Sequence, residues 1–235
     1  IRNGIVLIDR ASLYLDPIDE PIRNISGSIS IIDNQLKINK MTGLLDNEDE
    51  NSIRSLPLFS NIINLFFSED QKKQDNLNVS GRIDITEFFN PKFALSLRGD
   101  DVSISSSYDL FHGLGTANIN ITGRDTIYIS GDFIPTPYKF TITNLGNDPT
   151  YEIPKLYTNR MISYDIHVPI KDGIKVETDN VNLLFDGDIN ITKMGAENYN
   201  FSGKANIIDG KFYDNQGNIF QNTYGNILLT PIDNN

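Results

Sequence analysis

The chain contains no cysteine and no tryptophan, and only 2 histidines, among its 235 residues. Without cysteine it cannot form a disulfide, bind zinc through thiolates or use a thiol nucleophile. No apolar run approaches the ~20 residues of a membrane-spanning helix. Basic residues are also few, since 20 Lys and Arg against 31 Asp and Glu leave a net charge of −11. That balance argues against nucleic acid or an anionic bilayer surface as the main partner, because both attract basic surfaces.

Motifs of catalysis and nucleotide binding are missing as well. There is no Gly-x-Gly-x-x-Gly, Walker loop or serine nucleophile elbow. The acidic run 46–50 lacks the glycine and glutamate that an EF-hand loop requires. His112 is expected in a turn and His167 on the outward face of a strand, and two isolated histidines do not make a metal site. We therefore expect no enzyme, no cofactor and no metal.

Isoleucine and asparagine dominate the sequence, with 34 and 28 residues, and they alternate. Five segments place apolar residues and a glycine on one parity and Ser, Asn, Asp, Thr or a basic residue on the other: 25–31, 79–85, 115–121, 185–191 and 201–207. A period of two is typical of strands with one buried and one wet face. Parallel strands covered by helices would carry continuous apolar runs. The pattern therefore predicts antiparallel strands and an all-β fold.

The glycines of these segments keep the phase of the apolar residues: Gly27, Gly81, Gly115, Gly187 and Gly203. A glycine inside a strand marks a bend, a bulge or a close approach. Its repetition fits a sheet curled around its apolar face, and it fits independent bends in a β-sandwich equally well. Turn signals at short intervals, such as 135–137 and 171–173, indicate a meander of hairpins. No linker divides the chain, so we interpret 1–235 as a single unit cut from a longer protein.

Residues 46–76 interrupt the alternation. The acidic run is followed within 55–67 by apolar residues at helical spacing, with Ser55 as a cap and Pro57 in the first turn. These residues are Leu58, Phe59, Ile62, Ile63 and Phe66. We expect an inserted acidic loop and one short amphipathic helix. The helix covers an open side or end of the sheet, plugs an apolar groove, or forms a surface that touches a lipid or a partner. At about twelve residues it cannot span a bilayer.

The apolar side of the strands has almost no helix to cover it. A sandwich or a closed barrel would bury that side internally. A sheet folded lengthwise into a trough would instead leave a lining that meets acyl chains. Both arrangements have the same alternating signature, so periodicity does not separate them.

Four segments together carry a family resemblance: 164–169, 179–183, 185–189 and 201–212. A strand with Gly-x-Ile-x-Ile, as at Gly187, is followed by Ile-x-x-Gly-x-Phe, as at Ile207. This cadence resembles the C-terminal conserved domain of TamB, the translocation and assembly module protein of diderm bacteria, in the AsmA-like superfamily. The N-terminal half has the same cadence, so the resemblance extends over most of the chain, and the insertion 46–76 departs from it.

The resemblance implies a β-taco, which is a long curled sheet with an open groove and an apolar interior. It implies a periplasmic segment of a protein anchored in the inner membrane of a diderm bacterium. Such a protein carries phospholipid between the inner and outer membranes, or supports outer-membrane protein (autotransporter) assembly and secretion. The implied partners are phospholipid acyl chains or an unfolded outer-membrane protein, and an Omp85-type outer-membrane barrel.

On this interpretation the apolar residues at alternate positions of the strands line the groove. The expected lining residues are Ile29, Ile31, Ile83, Ile85, Leu95, Leu97, Ile119, Ile121, Ile127, Ile129, Phe140, Ile142, Leu183, Phe185, Ile189, Ile191, Phe201 and Ile207, with Leu58, Phe59, Ile62, Ile63 and Phe66 as the candidate plug. The competing hypothesis is an extracellular β-sandwich that serves as a binding or adhesion module. Its apolar residues would form an ordinary sealed core.

Overall fold

The computed structural model describes residues 3–13, 21–45, 75–105, 111–142, 161–178, 180–195, 200–214, 216, 218–221 and 223–230. Their regular structure is entirely β, and no helix occurs among them. The strands are β1 (Asn3–Leu13), β2 (Ile22–Ile32), β3 (Gln35–Leu44), β4 (Leu77–Asp84), β5 (Lys92–Ser105), β6 (Phe111–Gly123), β7 (Thr126–Ile142), β8 (Met161–Thr178), β9 (Val181–Lys193), β10 (Asn200–Tyr213), β11 (Ile219–Gln221) and β12 (Gly225–Leu229). His112, expected in a turn, lies within β6.

All the described strands belong to one sheet whose order from β1 to β11 follows the chain. Both β11 and β12 pair with β10, so together they form an interrupted edge strand. The first and last strands do not pair with each other, and the sheet is curled without closing into a barrel. The predicted all-β fold with a curled, open sheet is confirmed.

One pair of strands departs from the predicted antiparallel arrangement. β7 and β8 run parallel, with Thr126 opposite Met161 and Asp132 opposite His167. The expectation of a purely antiparallel sheet is wrong here because the connection, residues 143–160, exceeds the roughly dozen residues that a parallel crossover needs. Every other adjacent pair in the described sheet is antiparallel.

Bulges bend most of the strands. Positive φ angles occur at five non-glycine residues that each lie at a shift of the strand register: Arg10, Asn24, Asp101, Tyr138 and Asp172. The segments predicted as turns, 135–137 and 171–173, are therefore bulges inside the long strands β7 and β8. A bulge adds an unpaired residue to one strand, which bends that strand and increases its twist.

Glycine permits the close approach of neighbouring strands. A methyl group on Gly81 would lie 2.2 Å from the carbonyl oxygen of Ala94, and its φ is +131°. At Gly203 the corresponding distance to the carbonyl oxygen of Asp188 is 2.0 Å, with φ +132°. A side chain is strained in this conformation and has no room. The curl therefore requires these in-phase glycines.

The sheet stays continuous across the insertion, because β3 and β4 pair from Gln35 opposite Asp84 to Gly43 opposite Leu77. Asn76, just before β4, links the end of β3 to β5. Its Nδ2 donates to the carbonyl oxygens of Leu45 and Asp101, both at 3.0 Å, and its Oδ1 accepts from the Leu45 amide at 3.0 Å. The predicted helix and its five plug residues lie outside the described residues.

Candidate functional site

The candidate site is the apolar face of the sheet, because apolar residues and glycines line up in rows across the strands. Directly paired residues of neighbouring strands lie on the same face. The longest row crosses ten strands without a polar side chain: Ile8, Gly27, Met41, Val79, Leu97, Ile119, Gly131, Ile166, Ile191 and Phe201. We call the face that carries these rows the inner face.

Two further rows run beside the longest one. The first consists of Val6, Ile29, Ile38, Gly81, Leu95, Ile121, Ile129 and Tyr164, and the second of Gly4, Ile31, Leu36, Ile83, Phe93, Gly123, Ile127 and Ile162. In the C-terminal strands, Val168 pairs with Ile189, which pairs with Gly203 on its other side. Ile174 likewise pairs with Phe185, which pairs with Ile207. The inner face is therefore apolar across the described sheet along the longest row, whereas the row through Tyr164 reaches Lys193 on β9.

The structure places nearly all of the expected lining residues on this face. Eleven stand in the three rows, and Ile189, Phe185 and Ile207 stand in the C-terminal pairings. Phe140, Ile142 and Leu183 pack in the cluster around Ile174. Ile85 lies just beyond the end of β4, where its amide donates to the carbonyl oxygen of Asn34 at 2.7 Å. Phe201, at one end of the longest row, is 50% exposed.

Several inner-face residues were not in the expected set. Five residues with even numbers face inward: Leu36 and Ile38 on β3, and Ile162, Ile166 and Ile170 on β8. Turns and bulges change which parity faces inward from one strand to the next. Alternation within each strand could have identified these residues, since Tyr164-Asp165-Ile166-His167-Val168 has a clear period of two.

Burial differs between the two ends of the strands. We call the end with the turn at Asp33, the loop 85–91 and the turn at Arg124 the hairpin end, and the opposite end, where residues 46–74 leave the sheet, the insertion end. Leu77, Val102 and Ile174, toward the insertion end, are only 1–2% exposed. The row at the hairpin end stays half-buried. The inner face is thus tightly packed toward one end and accessible toward the other.

The buried residues form two clusters that meet. One is centred on Phe140, Ile174 and Phe185, and the other on Leu77 and Val102. Ile104 and Phe133 pack against both clusters. The rings of Phe133 and Phe140, on the same strand, have centroids 5.6 Å apart because the bulge between them folds β7. The clusters therefore form one continuous apolar lining.

Comparison with protein families identifies the family of the chain. The family model of the TamB C-terminal domain matches residues 67–228. The chain belongs to the TamB C-terminal domain family. It is accordingly a segment of a TamB-like envelope protein. No curated protein and no solved structure matches the chain.

The polar side chains of this TamB C-terminal domain lie mainly on the outer face. One of them is His167 on β8, whose Nδ1 is 2.9 Å from Asp132 Oδ1 and whose Nε2 is 3.0 Å from Asp188 Oδ1. These two hydrogen bonds raise the pKa of His167, because both carboxylates favour the imidazolium. The cluster links β7, β8 and β9 across the parallel pair.

The described residues contain no group of three or more His, Asp or Glu side chains placed to hold a metal ion. The same part of the chain has no helix suited to crossing a membrane. In the TamB C-terminal domain, the longest row of the inner face contains no ionisable side chain.

Proposed function

We propose that this TamB C-terminal domain uses its inner face as a hydrophobic groove that shields phospholipid acyl chains during passage between the inner and outer membranes. The observation that carries the proposal is the row of ten residues from Ile8 to Phe201, in which every member is apolar or glycine. Each methylene group kept from water contributes ~0.8 kcal/mol. A carrier of this kind needs a continuous lining and no catalytic residue, so we propose a carrier rather than an enzyme.

The dimensions of the sheet suit acyl chains. Ten strands at a spacing of about 4.8 Å extend over about 43 Å. One leaflet contributes about 15 Å to the hydrocarbon core of a bilayer. An acyl chain would therefore occupy about a third of the groove. Because no polar group marks a fixed position in the longest row, we infer that lipid moves along the groove instead of stopping at one site.

The edges of the sheet support a role within a longer envelope assembly. The outer edge at β11 and β12 is interrupted, and Ile219, Phe220 and Leu228 on these strands are exposed. Short edge strands can accept a further strand from another protein. We propose an Omp85-type outer-membrane barrel as the partner at this edge, with the full-length protein in the periplasm and anchored in the inner membrane.

A second role is the support of outer-membrane protein assembly and autotransporter secretion, with an unfolded protein as the cargo. The free strand edges favour it, because an unfolded β-barrel protein can pair with them. The two cargoes would bind to different parts of the molecule. Acyl chains need only the inner face, whereas a polypeptide cargo also needs backbone partners.

The test is lipid retention. We expect the chain purified from a diderm host to carry phospholipid that mass spectrometry detects, and Ile121→Asp to carry less of it. Thr122→Asp is the matched control, because Thr122 is the next residue of β6 and is exposed on the outer face. A folded Ile121→Asp that retains as much lipid as Thr122→Asp would contradict the proposal. A lipid-free chain that unfolds on Ile121→Asp would instead support a sealed core.

A further inference from the structure

The loop 85–91 between β4 and β5 presents two aromatic side chains to solvent. Phe88 is 72% exposed and Phe89 is 95% exposed. Their rings meet edge to face, with centroids 5.4 Å apart and an interplanar angle of 88°. Exposed aromatic pairs cost solubility and commonly mark a contact surface. We call this pair the aromatic tip.

Polar contacts fix the loop that carries the aromatic tip. The amide and the hydroxyl of Thr86 donate to Asp84 Oδ1 at 2.9 and 2.6 Å, and they lower the pKa of Asp84. The Asn90 amide donates to the carbonyl oxygen of Glu87 at 2.9 Å. These bonds turn the chain tightly, so that the two rings project beyond the end of the sheet.

A second set of contacts ties the loop to the turn between β6 and β7. Asn90 Nδ2 donates to Asp125 Oδ1 at 2.7 Å. Arg124 Nη1 lies 2.5 Å from Glu87 Oε1, and Arg124 Nη2 lies 3.7 Å from Asp84 Oδ2. The Arg124 side chain is 22% exposed and that of Glu87 is 61% exposed, and the contact at Nη1 is an ion pair without hydrogen-bond geometry. These contacts hold the loop in place while Phe88 and Phe89 remain exposed.

That place is the hairpin end of the inner face. Ile83 and Phe93, which pair with each other, flank the loop and stand in the row nearest this end. The aromatic tip therefore extends the accessible end of the apolar lining outward. Apolar cargo that enters or leaves the groove at the hairpin end would pass beside it.

The size and charge of the surroundings favour a lipid surface over a protein partner. A stable protein interface needs about 800 Å² on each side. Two rings bordered by Thr86, Glu87 and Asn90 do not provide an apolar core of that size. They are enough to enter the interfacial layer of a bilayer, where aromatic side chains are favoured. Arg124 and Lys92 offset two of the three nearby carboxylates, Asp84, Glu87 and Asp125, so the loop has no net positive charge that would favour an anionic over a zwitterionic surface.

We propose that the aromatic tip inserts into the interfacial layer of a zwitterionic phospholipid bilayer and holds the side rim of the groove, at the hairpin end of the strands, against the membrane. The inference extends the proposed function, because it gives the groove a site of contact with its lipid source. It does not depend on lipid retention, which is measured separately.

The absence of tryptophan from the chain makes a clean test possible. In Phe89→Trp, the single indole should shift its fluorescence to shorter wavelength on mixing with phosphatidylcholine vesicles. Phosphatidylcholine brominated on its acyl chains should quench it. Tyr224→Trp is the matched control: Tyr224 is 83% exposed but lies beside the β11–β12 edge, so its indole should stay in water.

A loss variant completes the test. Phe88→Ser combined with Phe89→Ser should reduce vesicle partitioning about tenfold or more, since most of the inserted apolar area is removed. Circular dichroism would establish that this variant is folded. The inference is overturned if the Phe89→Trp indole shows no shift, or if the Tyr224→Trp indole shifts equally. In either case a protein partner would explain the aromatic tip better. Vesicle binding by a chain that retains no lipid would contradict the lipid groove but would still support membrane insertion of the aromatic tip.

Discussion

At the scale of single residues, His167 gives the outer face a pH dependence. Its imidazolium is stabilised by Asp132 and Asp188, so its pKa in the folded chain is raised. The stabilisation is fully present below the ordinary histidine pKa of about 6.5 and is lost as the pH rises through the higher folded value. Because the ring and both carboxylates are substantially exposed, the contribution is about 1 kcal/mol or less.

The expected result is a Tm that falls as the pH rises from the acidic to the alkaline side of the raised pKa. His167→Gln should flatten this fall, since glutamine carries no proton to lose. The chain has one other histidine, His112, exposed on β6, and His112→Gln is the control that should keep the slope. Equal slopes for the two variants, measured by differential scanning calorimetry, would contradict the assignment.

Gly81 shows how a single missing side chain sets the curl. Gly81→Ala would bring a methyl carbon to 2.2 Å from the Ala94 carbonyl oxygen, in a φ region that alanine avoids. We expect a loss of about 1–3 kcal/mol in the free energy of unfolding. Gly225→Ala is the control, because nothing lies within 4 Å of the methyl group it adds. Urea denaturation of both variants measures the difference. A neutral Gly81→Ala would show that the strands can separate without cost.

At the scale of the elements, Asn76 joins β3, β4 and β5 where the insertion leaves the sheet. Asn76→Ala removes three hydrogen bonds, to the Leu45 amide, the Leu45 carbonyl and the Asp101 carbonyl. We expect a loss of about 1–3 kcal/mol, because the partners left behind are partly buried. Asn78→Ala, two residues along β4 at an exposed position, should change stability by less than about 0.5 kcal/mol. Urea midpoints that fall equally for both would refute a joining role for Asn76.

The strands themselves could be predicted because alternation is a local property. Segments such as 185–191 carry both the period of two and the in-phase glycine that a curled strand needs. The parallel pairing of β7 with β8 could not be predicted, because a connection as long as 143–160 permits either direction and neither strand selects one. The inward-facing even positions of β3 and β8 were missed for a related reason, since a bulge or turn resets parity without a strong sequence signal.

Much of the candidate site was predictable for the same reason as the strands. The inner-face residues are the apolar members of alternating segments, so their pattern is visible wherever the register is regular. The contacts between polar side chains could not be predicted from this alternation. His167 meets Asp132 and Asp188, which are 35 and 21 residues away, and Glu87 meets Arg124 across two strands. Such contacts depend on the register of the whole sheet.

At the scale of the whole molecule, an open groove and a sealed core differ in how burial is distributed. In a sealed β-sandwich, two inner faces pack together and exclude water along their whole length. The inner face of this sheet instead ranges from 1% exposed at Val102 to half-buried at Ile121 and at the row nearest the hairpin end. Val102 and Ile121 lie on the neighbouring strands β5 and β6, so they compare the two environments directly.

This difference predicts opposite tolerances for a buried charge. Val102→Asp should prevent folding or cost several kcal/mol, because its carboxylate would be desolvated without a partner. Ile121→Asp should remain folded and lose about 1–2 kcal/mol, since water reaches that part of the inner face. Val102→Ala separates the cost of lost packing from the cost of the charge. Thermal melts and urea titrations of the three variants measure the order. If Ile121→Asp unfolds as readily as Val102→Asp, both residues belong to one sealed core and the groove does not exist.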